Sequence, residues 1–332
     1  MTRPDSSLLR AEDTVVRYPA PGGGLLAVRG VSLDIRPGEI VALVGESGSG
    51  KTSLAWAMLG LQALESGRVL YRGRDVAGMD RAGLRTVRRS IQAVFQDPLD
   101  ALSPRRTILQ SLREPLDHFG LGAPSSRLDR AAEALATVDL PSVLLERYPH
   151  ELSGGQRQRI VLARALVAGP ELIVADEPLS SLDPPLRARI IELIAGIRRR
   201  LGVAFLLVSH DLSVVRQLAD AVAVMYLGTV VESGPARRLL GNPAHPYTRS
   251  LLDAVPTPDP RQPPPAVPRG EAPSGLTAQA GCVFHRRCPE RFEPCPTRQP
   301  AERTVAGTAQ GGKDGAGEPQ RQHRVRCHLW NN

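Results

Sequence analysis

A continuous apolar run, Ile40 to Val44, leads directly into Gly45-Glu-Ser-Gly-Ser-Gly-Lys-Thr52 and then into an apolar-rich stretch, Ser53 to Leu61. Buried strand, glycine-rich loop and helix, in that order, form a phosphate-binding loop. Glycines permit the backbone turns that aim successive N–H groups at one anion, and the helix adds its positive end. Gly45, Gly48 and Gly50 supply the turns, and Glu46, Ser47, Ser49 and Ser53 fill and flank the loop as further contact positions. Lys51 is placed to bridge β- and γ-phosphate oxygens, and the Thr52 hydroxyl to bind Mg²⁺. The loop predicts binding of a nucleoside triphosphate.

Composition singles out the same lysine. The net charge is +8, yet the basic residues are nearly all Arg, with Lys only at Lys51 and Lys313. A coding bias toward Arg explains that imbalance more simply than selection for nucleic-acid contacts, although a basic balance is also the mark of a nucleic-acid binder. Lys51 survives the bias where a compact ammonium must reach between phosphates, a task for which a guanidinium fork is too broad. Hydrophobic content of 42% with 23% charged residues is that of a globular chain. No apolar run approaches the roughly 20 residues of a spanning helix, and Met1 to Arg10 does not read as a secretory signal. A cytoplasmic location is expected, with any membrane association made through a partner.

The order of elements predicts an α/β fold. Residues 12 to 40 alternate apolar and polar in runs broken by Pro19, Pro21 and Gly22–Gly24, as antiparallel strands do. Residues 105 to 169 read as helices interrupted at Pro115, Pro124, Pro141 and Pro149. Leu172–Ala175, Val203–Val208, Ala219–Tyr226 and Thr229–Glu232 read as further strands, and strands separated by helices predict a mostly parallel core sheet. After about residue 242, Pro and then Gly become frequent, which predicts a linker and a small, poorly cored tail in need of a staple. The expected domains are therefore 8–241, with a helical subdomain over about 97–165, and 242–332.

Further motifs complete a hydrolytic site. Asp176-Glu177 ends the apolar run Leu172 to Ala175. An acid at a strand end suits a Mg²⁺ contact, and Glu177 beside it can act as general base on the attacking water. Leu152-Ser-Gly-Gly-Gln-Arg157 reads as an anion-binding helix start with Ser153 as cap. This LSGGQ pentapeptide resembles the signature of the ABC ATPase family, which implies a P-loop NTPase fold with an antiparallel β subdomain and a helical subdomain. In that family Ser153, Gly154, Gly155 and Gln156 would cap ATP held by the phosphate loop of a second subunit. The resemblance extends to Gln96 as the Q-loop glutamine that touches Mg²⁺ and relays nucleotide state. It also covers Ser181-Leu-Asp183 as the loop crossing the dimer interface, with Asp183 near nucleotide, and His210 as the switch histidine facing the γ-phosphate. Tyr18, 27 positions before Gly45, stands where the family places a ring against adenine.

Only about 100 residues separate Thr52 from Ser153, too few for the long insertions of chromosome and repair ATPases of this type. Phe95-Gln-Asp-Pro98, Ala101-Leu-Ser-Pro-Arg105, Glu114-Pro115 and His245-Pro-Tyr-Thr-Arg249 resemble the ATPases of dipeptide and oligopeptide importers. Phe95 and Pro104-Arg105 point to the second of the two ATPases such importers pair. The resemblance implies a peripheral protein on the cytoplasmic face of a bacterial cell membrane. Its partners would be two permeases, a sister ATPase or second copy, and an extracytoplasmic solute-binding protein, with no nucleic acid. Relatives of this layout move nickel, glutathione or other small solutes, and a soluble ABC ATPase acting on nucleic acid is the reading from another class. Cys282, Cys288, Cys295 and Cys327 are spaced C-x5-C-x6-C-x31-C, without the C-x2-C pairs of zinc ribbons. The tail resembles that of 4Fe–4S-bearing members; zinc, with His285, His323 or His328 as a substitute ligand, and unliganded thiols are the alternatives.

Overall fold

A computed structural model describes residues 7–19, 24–95, 101–180, 182–255, 280–305 and 321–330. The expected antiparallel strands are β1 (Leu9–Tyr18) and β2 (Leu25–Ile35), which pair with each other. β3 (Ile40–Val44) is the central strand of the second sheet, and helix α1 (Lys51–Met58) follows the loop. That helix begins two residues earlier than its apolar pattern suggests, so Lys51 and Thr52 sit in its first turn. Strands β4 (Ser66–Tyr71) and β5 (Arg74–Asp75) complete an antiparallel sheet ordered β2-β1-β4-β5.

Helix α2 (Arg81–Ser90) and strand β6 (Ile91–Val94) lead to the helical layer. This layer holds α3 (Ile108–Phe119), α4 (Arg127–Thr137) and α5 (Gly154–Leu166). Pro124, Pro141 and Pro149 fall at short 3-10 turns between helices, but Pro115 lies inside α3 and does not interrupt it. Ile108, Leu112 and Leu116 are fully buried on one face of α3. Their packing offsets the backbone hydrogen bond that Pro115 cannot donate, a defect that ordinarily costs about 3 kcal/mol.

The remaining elements are β7 (Leu172–Asp176), α6 (Pro184–Leu201), β8 (Ala204–Ser209), α7 (Leu212–Leu218), β9 (Ala221–Tyr226) and β10 (Thr229–Pro235). After them come α8 (Ala236–Gly241), α9 (Pro246–Asp253), β11 (Arg303–Thr304) and β12 (Arg324–Val325). Among the described residues the larger sheet runs β11-β12-β10-β9-β3-β8-β7-β6 and is parallel from β9 to β6. β3 and β9 are apolar throughout, and β7 and β8 up to their last residues, because both faces are covered. Leu172 and Val174 enter the core shared with α1, while Ile173 and Ala175 enter the core shared with the helical layer.

The tail is better cored than its composition suggests. Strand β12 pairs with β10 and extends the main sheet. Tyr247, Phe284, Cys282 and Cys295 pack in one cluster with Val44, Val224 and Tyr226 of the central strands. Proline and glycine dominate the tail's sequence at 256–279 and 306–320, which lie outside the described residues, while Tyr247 and Phe284 are buried against the sheet.

Candidate functional site

Parallel strands place their C-terminal ends along one edge, where the loops that follow them meet. Val44 of β3 is in register with Ser209 of β8, and Asp176 of β7 with Val208. The phosphate loop, Asp176-Glu177 and His210 therefore converge although they are far apart in sequence. Together with Tyr18 they line one cavity of about 820 Å³.

Two glycines are enforced by close approach. A Cβ on Gly45 would lie 2.1 Å from the Met225 carbonyl oxygen, and one on Gly50 would lie 2.2 Å from the Ala27 carbonyl oxygen. The loop is thus threaded between β9 and β2 with no room for side chains at these points. Gly50 caps α1 in a left-handed conformation, and among the described residues no side chain caps the helix's first N–H groups. Those donors remain for an anion. Ser49 adds a buried hydroxyl with no hydrogen-bond partner among the described residues.

Lys51 is only 6% exposed, and its Nζ donates to the carbonyls of Gly45 (2.9 Å) and Glu46 (2.8 Å). Burial pushes its pKa down, against the charges of Glu177, Asp176 and Glu46, which favour the ammonium. The Thr52 hydroxyl donates to Asp176 Oδ1 at 3.3 Å. Burial raises the Asp176 pKa, the Thr52 bond lowers it, and the charge of Glu177 raises it further. One hydroxyl and one carboxylate in contact form a donor set that fits Mg²⁺, a hard cation that takes few protein oxygens.

Glu177 has φ +48°, a left-handed conformation that costs a residue with a Cβ roughly 1–2 kcal/mol. Its N–H donates to the Val208 carbonyl (2.9 Å), which ties the turn to β8. The side chain then reaches His210, with Oε1 2.9 Å from Nδ1. Tyr18, at the end of β1, donates to Ser53 Oγ at 3.2 Å and forms part of the cavity wall.

Ser153, Gly154, Gly155, Gln156 and Asp183 are elsewhere. They line a separate concavity of about 550 Å³ that shares no residue with the phosphate-loop cavity. Ser153 and Gln156 form a reciprocal capping box at the start of α5, and Asp183 caps α6 through the Leu186 N–H. Both helix starts open on the same concavity, beside Arg159 and Arg189. Gln96, with Asp97 and Pro98, and Ser181 lie outside the described residues.

The tail contributes what motif reading did not assign to the site. Tyr247 Oη accepts from the Glu46 N–H (2.9 Å), and Arg287 forms a two-pronged ion pair with the Glu46 carboxylate (2.7 and 3.1 Å). The only sequence trace of these residues is their place in the HPYTR and RCP segments.

Cys282, Cys288, Cys295 and Cys327 are all free and line one small cavity with His285 and His328. His323 does not line it; its Nε2 is 2.6 Å from the buried carboxylate of Glu232. Burial pushes Cys288 up to about 11 and Cys327 up to about 12, so without a metal these groups are neutral thiols at pH 7. Among the described residues no three His, Cys, Asp or Glu side chains are grouped so as to hold a single metal ion.

The chain is similar to known proteins over most of its length. A family model described as ABC transporter matches residues 28–180, and one described as oligopeptide/dipeptide transporter, C-terminal region, matches residues 231–295. A protein of Brucella ovis named as a peptide import ATP-binding protein is 44% identical over 306 residues, which cover 91% of this chain and 95% of that one. The oligopeptide transport ATP-binding protein AppF of Bacillus subtilis is 40% identical over 312 residues, covering 93% and 91%. Among solved structures, a dimeric post-hydrolysis state of the ATP-binding cassette MJ0796 bound to ADP and Pi is similar at 30% identity with a TM-score of 0.62. The match covers 69% of this chain and 99% of that one.

Proposed function

The chain belongs to the ABC transporter family of ATP-binding proteins, and from that premise we propose that it is the ATP-hydrolysing motor of an importer of dipeptides or oligopeptides. The observation that carries the mechanism is the separation of the two cavities. The chain presents a phosphate loop without its capping helix start, and a capping helix start without a phosphate loop. A second ATPase subunit, sister or self, placed head to tail would supply each half with the other.

In this reading the loop N–H groups and Lys51 hold the β- and γ-phosphates, Tyr18 faces adenine, and Ser153 to Gln156 of the partner subunit close on the γ-phosphate. Thr52 and Asp176, together with Gln96, would hold Mg²⁺, and the chemistry supplied there would be neutralisation of the charge developing on the transferred group. Glu177 takes a proton from the attacking water as its oxygen bonds to the γ-phosphorus and ADP leaves. His210 donates to Glu177 through Nδ1, and the ring orients that carboxylate toward the water. Hydrolysis then opens the closed pair, and the membrane permeases follow it.

No helix among the described residues is long and apolar enough to cross a membrane. The two permeases would therefore hold the chain at the cytoplasmic face of the membrane, with a solute-binding protein delivering peptide from the other side. The division into a motor over 8–241 and a tail over 242–332 belongs to the same proposal. Removing the chain from its host is expected to abolish uptake of labelled peptides of two to five residues, and a plasmid copy to restore it. Intact peptide uptake with loss of nickel or glutathione uptake would redirect the substrate to those solutes.

The cysteine cavity supports a second element of the proposal, a 4Fe–4S cluster held by Cys282, Cys288, Cys295 and Cys327. The four free thiols share one cavity, yet the donors are not gathered tightly enough for a single ion; a cluster spreads its four thiolates over separate irons. Bound there, it would cross-link the tail and could exchange an electron. Protein purified without oxygen is expected to be brown, with about four irons per chain. A colourless preparation with one zinc per chain would replace the cluster with zinc, and a metal-free one would remove both.

A further inference from the structure

Glu46, the second residue of the phosphate loop, is held at three groups. Its carbonyl accepts from Lys51 Nζ, its N–H donates to Tyr247 Oη, and its carboxylate is paired with Arg287. Two of these three anchors come from the C-terminal segment, and Arg287 lies 241 residues away in sequence. The third is the lysine that must meet the nucleotide phosphates.

The anchors are rigid. Tyr226 and Tyr247 are 1% and 0% exposed, and their rings are 4.6 Å apart; each also lies 5.3 Å from Phe284. The Arg287 side chain is 7% exposed, with its guanidinium 5.8 Å from the Tyr226 ring and one N–H donating to Tyr226 Oη at 3.4 Å. A guanidinium stacked and forked in this way has little freedom to leave its carboxylate. Arg287 directly precedes Cys288, and Phe284 lines the cysteine cavity. One block of aromatic rings thus joins that cavity to the mouth of the phosphate loop.

We propose that Arg287 and Tyr247 are positioning residues for ATP: they hold Glu46, and through it Lys51, in the geometry that accepts the phosphates, and so link ATP binding to the state of the cysteine-lined unit. Lys51 hydrogen-bonds to the two carbonyls that bracket the first peptide of the loop. If Glu46 swings, the lysine follows or loses a partner. Linkage is reciprocal: whatever moves Arg287 changes affinity for ATP, and ATP binding stiffens the segment that carries Arg287 by the same coupling. The inference rests on the nucleotide-binding reading of the loop and is independent of any metal.

The test rests on two single variants of the full chain, with Glu46→Gln added for a double-mutant cycle. Arg287→Met keeps the apolar stem against Tyr226 and removes the charge; Tyr247→Phe keeps the ring and removes the hydroxyl. Binding of a fluorescent ATP analogue is expected to weaken roughly tenfold in the first and by a smaller factor in the second. At saturating ATP the hydrolysis rate stays within about twofold, so the effect falls on KM and not on kcat. Combining Arg287→Met with Glu46→Gln is expected to weaken binding no more than the worse single change. In the wild type the ATP analogue slows amide hydrogen exchange over residues 282–288, and in Arg287→Met it does not. A lowered melting temperature with unchanged ATP affinity in both variants would make the pair a mere anchor for the tail and overturn the proposal. If the wild type itself failed to bind the analogue, the nucleotide reading would fall instead. Should Arg287→Met not fold, Tyr247→Phe with unaltered affinity and unaltered exchange overturns the link alone.

Discussion

Glu177→Gln is expected to bind ATP with near wild-type affinity, to accumulate as an ATP-bound dimer and to hydrolyse at least about 100-fold more slowly, the usual worth of a general base. The amide has the shape of the carboxylate and can still meet His210, so the 2.9 Å contact and the turn at φ +48° persist. What it lacks is a basic oxygen to take the proton from water. The ground state is untouched and only the transition state loses a partner, so kcat falls while binding does not. Stalled before hydrolysis, the two subunits keep both nucleotides between loop and signature. Size-exclusion chromatography with ATP and Mg²⁺ reads the dimer, and phosphate release reads the rate. A monomeric variant that turns over at the wild-type rate would remove Glu177 from catalysis.

Lys51→Ala acts on the other side of that division. Its ammonium is buried, and the charges that favour it are Glu177, Asp176 and Glu46. Without it, the carboxylates of Asp176 and Glu177 face an incoming polyphosphate with no cation from the loop. Loss of charge-assisted bonds to phosphate is worth about 3 kcal/mol, so ATP affinity is expected to fall on the order of 100-fold. Lys51→Arg is not expected to restore it, because the fork cannot occupy the place where one nitrogen serves the carbonyls of Gly45 and Glu46. Titration with a fluorescent nucleotide measures the change, with thermal unfolding as the control for folding. Affinity within twofold of wild type in the alanine variant would contradict the assigned role.

Local chemistry carried most of the motor into view. Ile40–Val44, residues 172–175 and residues 204–208 are apolar without interruption because both faces of a parallel strand are covered, and such runs are visible in the sequence alone. Glycine in the loop is visible for a similar reason, since Gly45 and Gly50 lie against carbonyl oxygens that exclude any side chain. Pro115 was misleading because its local penalty is real but smaller than the burial gained along α3. The tail differs from its composition for the opposite reason: composition averages 242–332 and hides that Tyr247 and Phe284 insert into the core beside Val44.

The sequence by itself determined which residues can do phosphate chemistry, because a phosphate loop, a capped helix start and a strand-end carboxylate are each written in a few consecutive positions. Those motifs are short-range, set by backbone conformations that neighbouring residues dictate. Only the tertiary structure decided which of them meet. Parallel strands in register brought Thr52, Asp176, Glu177 and His210 to one edge and left Ser153 and Asp183 at another cavity. It also decided that Glu46 is gripped from the tail, because a contact spanning 241 residues depends on how the aromatic block around Tyr226 packs and not on any local pattern.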